Sequence, residues 1–190
     1  IGTRVPAEAL PLVTAWSEQV RNADREYRRP ILADISALER VYSRHLDMTG
    51  ISRHVLQGGF GLKNYRNWLI ERRQFTQPGS FVWTWVQTEP AGKLVEDRRN
   101  ASQSPIVIEP EQLELLVFAA VASGARGIGY WSPSSLESEA PGAQERKLAL
   151  AQINMRLEQL EPFLATARLQ SQIPFTVKLP SGTPVKQMNL

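Results

Sequence analysis

Residues 81–90, FVWTWVQTEP, set Trp83, Trp85, Gln87 and Glu89 two apart. On an extended chain successive side chains point to opposite faces, so these four share a face with Phe81, and Val82, Thr84, Val86 and Thr88 take the other. The β-branched set suits packing under helices. The other runs from aromatic through amide to carboxylate, as a binding wall does when it rises to its lip. Indole faces bury large areas, whether inside a core or against a flat ligand, and both readings stand for Trp85 and Trp131. An enclosed amide such as Gln87 needs hydrogen-bonding partners that a ligand or a polar neighbour supplies. Glu89, directly before Pro90, is either a solvated loop residue or a chemical one. Asp34, Arg53 and His54 close two other short β-rich runs, and Trp131 closes a third. Since Arg53 and His54 are adjacent, one of them should point inward.

The elements that carry these residues alternate in type. Residues 5–29 read as a helix, with Leu12, Val13, Trp16 and Val20 at helical spacing and Pro11 at its start or at a kink. PILADI (30–35) reads as a strand, SALERVYSR (36–44) as a brief helix, and DMTGISRHVL (47–56) as a weaker strand broken by Gly50. A helix over 62–75 puts Tyr65, Trp68 and Leu69 on one face and stops at Pro78-Gly79. The strand over 81–88 follows, then a long loop over 89–108. Residues 109–124 give the cleanest helix, with Pro110 in its first turn, Leu113, Leu116, Val117, Ala120 and Val121 as the stripe, and Gly124 at the end. ARGIGYWS (125–132) is a strand, in which Gly127 and Gly129 leave room for Trp83 or Trp85. PSSLESEAPGAQE (133–145) reads as a flexible lip, and 143–167 as a long helix carrying Leu150, Ile153, Leu157, Leu160 and Leu164.

Strands alternating with helices of this length imply parallel strands joined by helical crossovers. The two candidates are a (β/α)8 TIM barrel and an open doubly wound sheet. No glycine-rich turn follows a strand, which leaves the nucleotide-binding open sheet without its motif. A full barrel needs eight strands and about 250 residues. The chain has 190 residues and four such strands, with IG at the start as the stub of a fifth. It therefore reads as the C-terminal half of a barrel over 1–170, with 171–190 as a tail or the start of a following β domain.

Bulk composition narrows the partners. Lys and Arg number 22 against 19 Asp and Glu, for a net charge of +3, and they form no long run, so the basic stripe that nucleic acid requires is missing. The densest groups, REYRR (25–29) and ERR (71–73), fall near helix ends, where cations complement the dipole. With no cysteine, disulfides and thiolate metal sites are excluded. No run approaches the roughly 20 apolar residues of a membrane span. The chain opens IGTRVP without Met and reads as a piece of something longer, so localisation stays open, export included. A metal set of Asp34, His45, Asp47 and His54 lacks any recognised ligand spacing, and no cofactor is expected.

The run IEPEQLELLVFAAVASGARGIGYWS (108–132) resembles the seventh helix and eighth strand of retaining glycoside hydrolases with a (β/α)8 barrel. It is similar in particular to β-galactosidase-like proteins and related uncharacterised bacterial barrels. The resemblance makes FVWTWVQTEP the seventh strand, PILADI the fifth and DMTGISRHVL the sixth. It implies a glycoside-hydrolase-like barrel acting on a carbohydrate through two carboxylates that flank the scissile bond. Glu89 is the residue onto which the nucleophile's role carries over, although it lies beyond Gln87-Thr88. The acid should fall near IGTR (1–4), which has no carboxylate, so either it lies upstream in the missing N-terminal half or the barrel lacks it and is not a standard glycosidase. Asp34, Arg53, His54, Trp85, Gln87 and Trp131 would contact sugar hydroxyls and ring faces. The rival expectation is a non-catalytic carbohydrate-binding or scaffold barrel, and a third is metal-assisted hydrolysis.

Overall fold

The computed structural model describes residues 2–55, 60–90, 92–104, 106–139, 142–166, 174–175 and 188–189. Five strands, β1 (Gly2–Val5), β2 (Leu32–Ile35), β3 (Met48–Ile51), β4 (Phe81–Gln87) and β5 (Gly127–Trp131), form one sheet in the order of the sequence. Every neighbouring pair is parallel. The crossovers contain α1 (Leu10–Ala23), the single turn α2 (Glu39–Tyr42), α3 (Leu62–Gln74), and the pair α4 (Gly92–Asn100) and α5 (Pro110–Ala122). After β5 comes α6 (Ala143–Thr166). The expected α/β class and helical crossovers are present. The sheet itself is not closed.

When consecutive parallel strands lie side by side, right-handed crossovers put every helix on the same side of the sheet. The packing agrees: α3 lies on β3, α5 on β4, and α3 against α5. Val13 of α1 joins Val5, Ala33 and Ile35 in one buried cluster. Ala33, Thr49, Val82, Thr84 and Val86 face these helices and are almost wholly buried. The opposite face, here called inner, carries Leu32, Asp34, Gly50, Trp83 and Trp85 and is more open; Leu32 is 42 % exposed.

The strand read over 47–56 ends at Ile51 and keeps Gly50 in register, the helix read over 36–44 is the single turn α2, and two longer stretches also differ from expectation. The helix read over 5–29 is a 3-10 turn at Ala7–Ala9 followed by α1, which ends at Ala23. Asp24 ends it, because its carboxylate accepts the backbone N–H and guanidinium of Arg29 and closes a turn. Of the expected stripe only Val13 is buried; Leu12, Trp16 and Val20 are exposed, and the small Ser17 faces inward. Hydrophobic spacing found the period of this helix but chose the wrong face. The stretch read as a loop over 89–108 contains α4, whose sequence GKLVEDRRN has no buried residue and so gives no apolar stripe to find.

Where the sequence is most regular, the structure follows it closely. Tyr65 and Leu69 of α3 are buried, as are Leu113, Leu116, Val117 and Ala120 of α5. The side chain of Gln112 accepts the Glu109 N–H at the start of α5 (3.1 Å), and Gly124 takes φ +86 beyond its end. The chain divides into two compact units, Ile1–Ile153 and Asn154–Leu190, with the boundary inside α6. In the second unit β6 (Pro174–Phe175) pairs antiparallel with β7 (Met188–Asn189). The rest of the expected tail lies outside the described residues.

Candidate functional site

The inner face is built in levels. Asp34, Gly50, Trp83 and Gly127 stand in register across four strands. One level up, Trp85 is in register with Gly129, and its backbone N–H donates to Ser52 Oγ (3.1 Å). Gln87 and Trp131 make the top level. Glycines set this stack. A Cβ on Gly50 would lie 2.8 Å from the Trp83 ring, and one on Gly129 only 2.5 Å from the Trp85 ring. A Cβ on Gly127 would lie 2.9 Å from that of Trp83. The tryptophans occupy the space of the missing side chains, as the strand parity suggested.

At the top, His54 and Trp131 meet with ring centroids 4.3 Å apart. They leave β3 and β5, which are separated by β4 and hence by about 9–10 Å of sheet. Both side chains therefore lean over β4. Burial lowers the His54 pKa and the nearby Arg4 adds to the effect, so the ring is neutral at pH 7. Arg53 turns the other way, with its guanidinium over the Phe60 ring (4.1 Å) and near Trp68 of α3. Of the adjacent pair, His54 is the inward member and Arg53 is not in this site.

Asp34 lies two levels below the rim and is 1 % exposed. Its Oδ2 accepts the Arg4 N–H at 3.2 Å, while Oδ1 has no hydrogen-bond partner among the described residues. Burial pushes its carboxyl above the usual range, against the opposing effect of the Ser52 hydroxyl and the Arg4 N–H. The indole Nε1 groups of Trp83 and Trp85 are likewise buried and unpartnered. A buried acceptor and two buried donors thus stand at neighbouring levels of one face. Arg4 holds φ +52 beside a register shift between β1 and β2, which aims its N–H at Asp34.

Glu89 belongs to a different cluster. It accepts Ser132 Oγ (2.6 Å), Ser134 Oγ (2.7 Å) and the Ser134 N–H (3.1 Å), and it forms an ion pair with Arg146 of α6. The side chains of Glu89 and Arg146 are 14 % and 4 % exposed. Burial alone would raise the Glu89 pKa, but the two hydroxyls, Arg146 and the Ser134 N–H outweigh it and hold the carboxyl below its usual range. The cavity beside Glu89, Pro90, Ile108 and Arg146 is about 30 Å³, room for a water or two. Sugar-sized ligands occupy cavities of roughly 300 Å³ and more.

The structure thus gathers His54, Trp131, Trp85, Gln87 and Asp34 along one face. It sets Glu89 in a polar lock beside the β5 end and sends Arg53 to the helices. Residue type gave no sign of Arg4 or Ser52, whose roles come from backbone register. Ser134, within the stretch read as a flexible lip, is pinned to Glu89 and Arg146. Among the described residues no three His, Asp or Glu side chains converge as a metal site, and Asp47 of that candidate set pairs with Arg21. No described helix is long and apolar enough to cross a membrane. No protein-family model, curated protein or solved structure matches this chain.

Proposed function

We propose that the upper end of the inner face binds a carbohydrate, within a glycoside-hydrolase-like (β/α)8 barrel to which this chain contributes five strands. The contact of His54 and Trp131 over β4 carries the proposal, since it puts two ring faces at the C-terminal strand ends, where barrel enzymes bind substrate. Gln87 and Asp34 stand beneath them as polar groups. Sequential strand order, unpaired outer edges on β1 and β5 among the described residues, and the exposed Leu12, Trp16 and Val20 of α1 all suit a continuing barrel. A preceding β/α unit, from the expected N-terminal half, would pair β1 and cover that stripe.

Titration of the intact protein with a panel of neutral oligosaccharides, read by tryptophan fluorescence, tests binding. A saturable change is expected, weakened about tenfold by Trp131→Ala, the scale of one aromatic contact. A flat response across the panel, or a Trp131→Ala variant that binds like the parent, would overturn it.

Cleavage would require two carboxyl groups flanking the bond. Glu89, held ionised, suits the carboxylate; Asp34, in register with Trp83 six positions before Glu89, lies too far from it to be the protonated partner, which would come from outside this chain. The saturated hydrogen bonding of Glu89 specifically favours a second reading, binding without hydrolysis. Release of p-nitrophenol from aryl glycosides by the intact protein, lost in a Glu89→Gln variant that circular dichroism shows folded at the assay temperature, would favour cleavage. Binding without release would favour the second reading.

A further inference from the structure

The basic run DREYRR at 24–29 takes no part in the inner face, and the helix dipole accounts for little of it. Only Arg21 stands in the last turn of α1, because the helix ends at Ala23. Arg25, Arg28 and Arg29 follow in a turn that Asp24 staples. Its main-chain oxygen accepts the Arg28 N–H (3.2 Å), and its carboxylate accepts the N–H (2.9 Å) and Nε (3.1 Å) of Arg29. Arg28 adopts φ +48, a left-handed conformation that a residue with a Cβ enters only when its surroundings require it. The turn borders an open surface hollow of about 350 Å³, lined by Val20, Arg21, Asp24, Arg25, Arg28 and Arg29, all but Asp24 exposed, with the volume of a small-ligand site.

Charge decides what fits. Asp24 neutralises Arg29, and Asp47 neutralises Arg21. Arg25 and Arg28 line the same hollow with no ion pair among the described residues. Two guanidiniums without an ion pair, offset in part by the exposed Glu26 between them, attract the negative charge of a phosphate monoester, about −1.5 to −2 at pH 7. Each offers the planar donor fork that engages two phosphate oxygens at once. The negative end of the α1 dipole opposes an anion here, but it amounts to about half a charge. The volume exceeds what a bare tetrahedral anion fills, and Val20 supplies an apolar wall for the rest of an ester.

We infer that this hollow binds the phosphate group of a small phosphorylated metabolite, at the α1–β2 turn and so at the end of the sheet opposite the His54–Trp131 rim. The inference is independent of the carbohydrate proposal.

Isothermal titration of the intact protein at low ionic strength, with glucose 6-phosphate, inorganic phosphate and glucose as probes, tests it. Saturable binding of glucose 6-phosphate is expected, with none of glucose. Arg25→Gln/Arg28→Gln should weaken it at least tenfold, and both sites are exposed, so folding checked by circular dichroism should be intact. Equal affinity for inorganic phosphate would support the anion site and make free phosphate its ligand. An exposed control pair on α4, Arg98→Gln/Arg99→Gln, should leave binding unchanged. No saturable heat with either phosphate would overturn the inference, as would equal loss in the control pair or an unaffected Arg25→Gln/Arg28→Gln variant.

Discussion

Asp34 and Glu89 are both enclosed carboxyl groups in the same sheet framework, and their surroundings drive them in opposite directions. Glu89 is met by a guanidinium, two hydroxyls and a backbone N–H, and is held ionised. Asp34 is met by one backbone N–H and the Ser52 hydroxyl among tryptophans, and is pushed towards its protonated form. Burial acts on both. What differs is the number of donors, and that number separates a structural clasp from a group with unused chemistry.

The largest effect should come from breaking the clasp. Glu89→Ala leaves the Arg146 charge buried without its partner, a loss on the order of 3 kcal/mol. Urea unfolding would measure it, and adding Arg146→Met should recover much of the loss. A Glu89→Ala variant as stable as the parent would make the carboxylate free for another task and erase the contrast.

Next in size is Gly129→Ala. Its Cβ would meet the Trp85 ring at 2.5 Å, so a loss of about 1–3 kcal/mol is expected, with an altered near-ultraviolet dichroism of the tryptophans. An unchanged spectrum would mean that the inner face is loosely filled.

Asp34→Asn should act in the other direction, raising stability at neutral pH by on the order of 1 kcal/mol, since it removes a charge from an under-satisfied site. The pH dependence carries the sign. A carboxyl whose folded pKa is raised favours the folded state below its unfolded pKa and loses that contribution as pH rises through the folded value. Glu89, lowered, contributes above its unfolded pKa and loses its contribution as pH falls through the folded one. Unfolding curves from acid to neutral pH on Asp34→Asn and Glu89→Gln should therefore approach the parent in acid and diverge from it towards neutral pH in opposite directions, Asp34→Asn above it and Glu89→Gln below. Parallel shifts would sink the comparison.

The smallest effect belongs to His54. Its lowered pKa makes the neutral ring the native form, so its contribution is lost as pH falls below the ordinary histidine range. His54→Ala should cost about 1 kcal/mol, the scale of one ring pair, and should flatten the acid-side change in tryptophan fluorescence.

The alternation in FVWTWVQT and the stripe of 109–124 were legible because each element has one dry face, and dryness leaves a period in the sequence. Side α4 and the true face of α1 were not legible. The first is wet all round, and the second turns Ser17 inward and leaves Trp16 44 % exposed. Trp131 could be placed at a strand end from spacing alone, whereas His54 lies beyond the end of β3 at Ile51 and Asp34 two levels below the rim. The partners of Glu89 could not be placed, since Ser132, Ser134 and Arg146 reach it from 43 to 57 positions away through a loop with no period.

The strand order has a kinetic consequence. Each strand described in this sheet pairs only with those before and after it in the chain, so none of these pairings has to wait for a distant segment. Loop closure among these strands is then never longer than one crossover, which limits the entropy that each pairing costs. The sheet can grow by successive addition as the chain emerges during synthesis, each new strand finding its template already laid down.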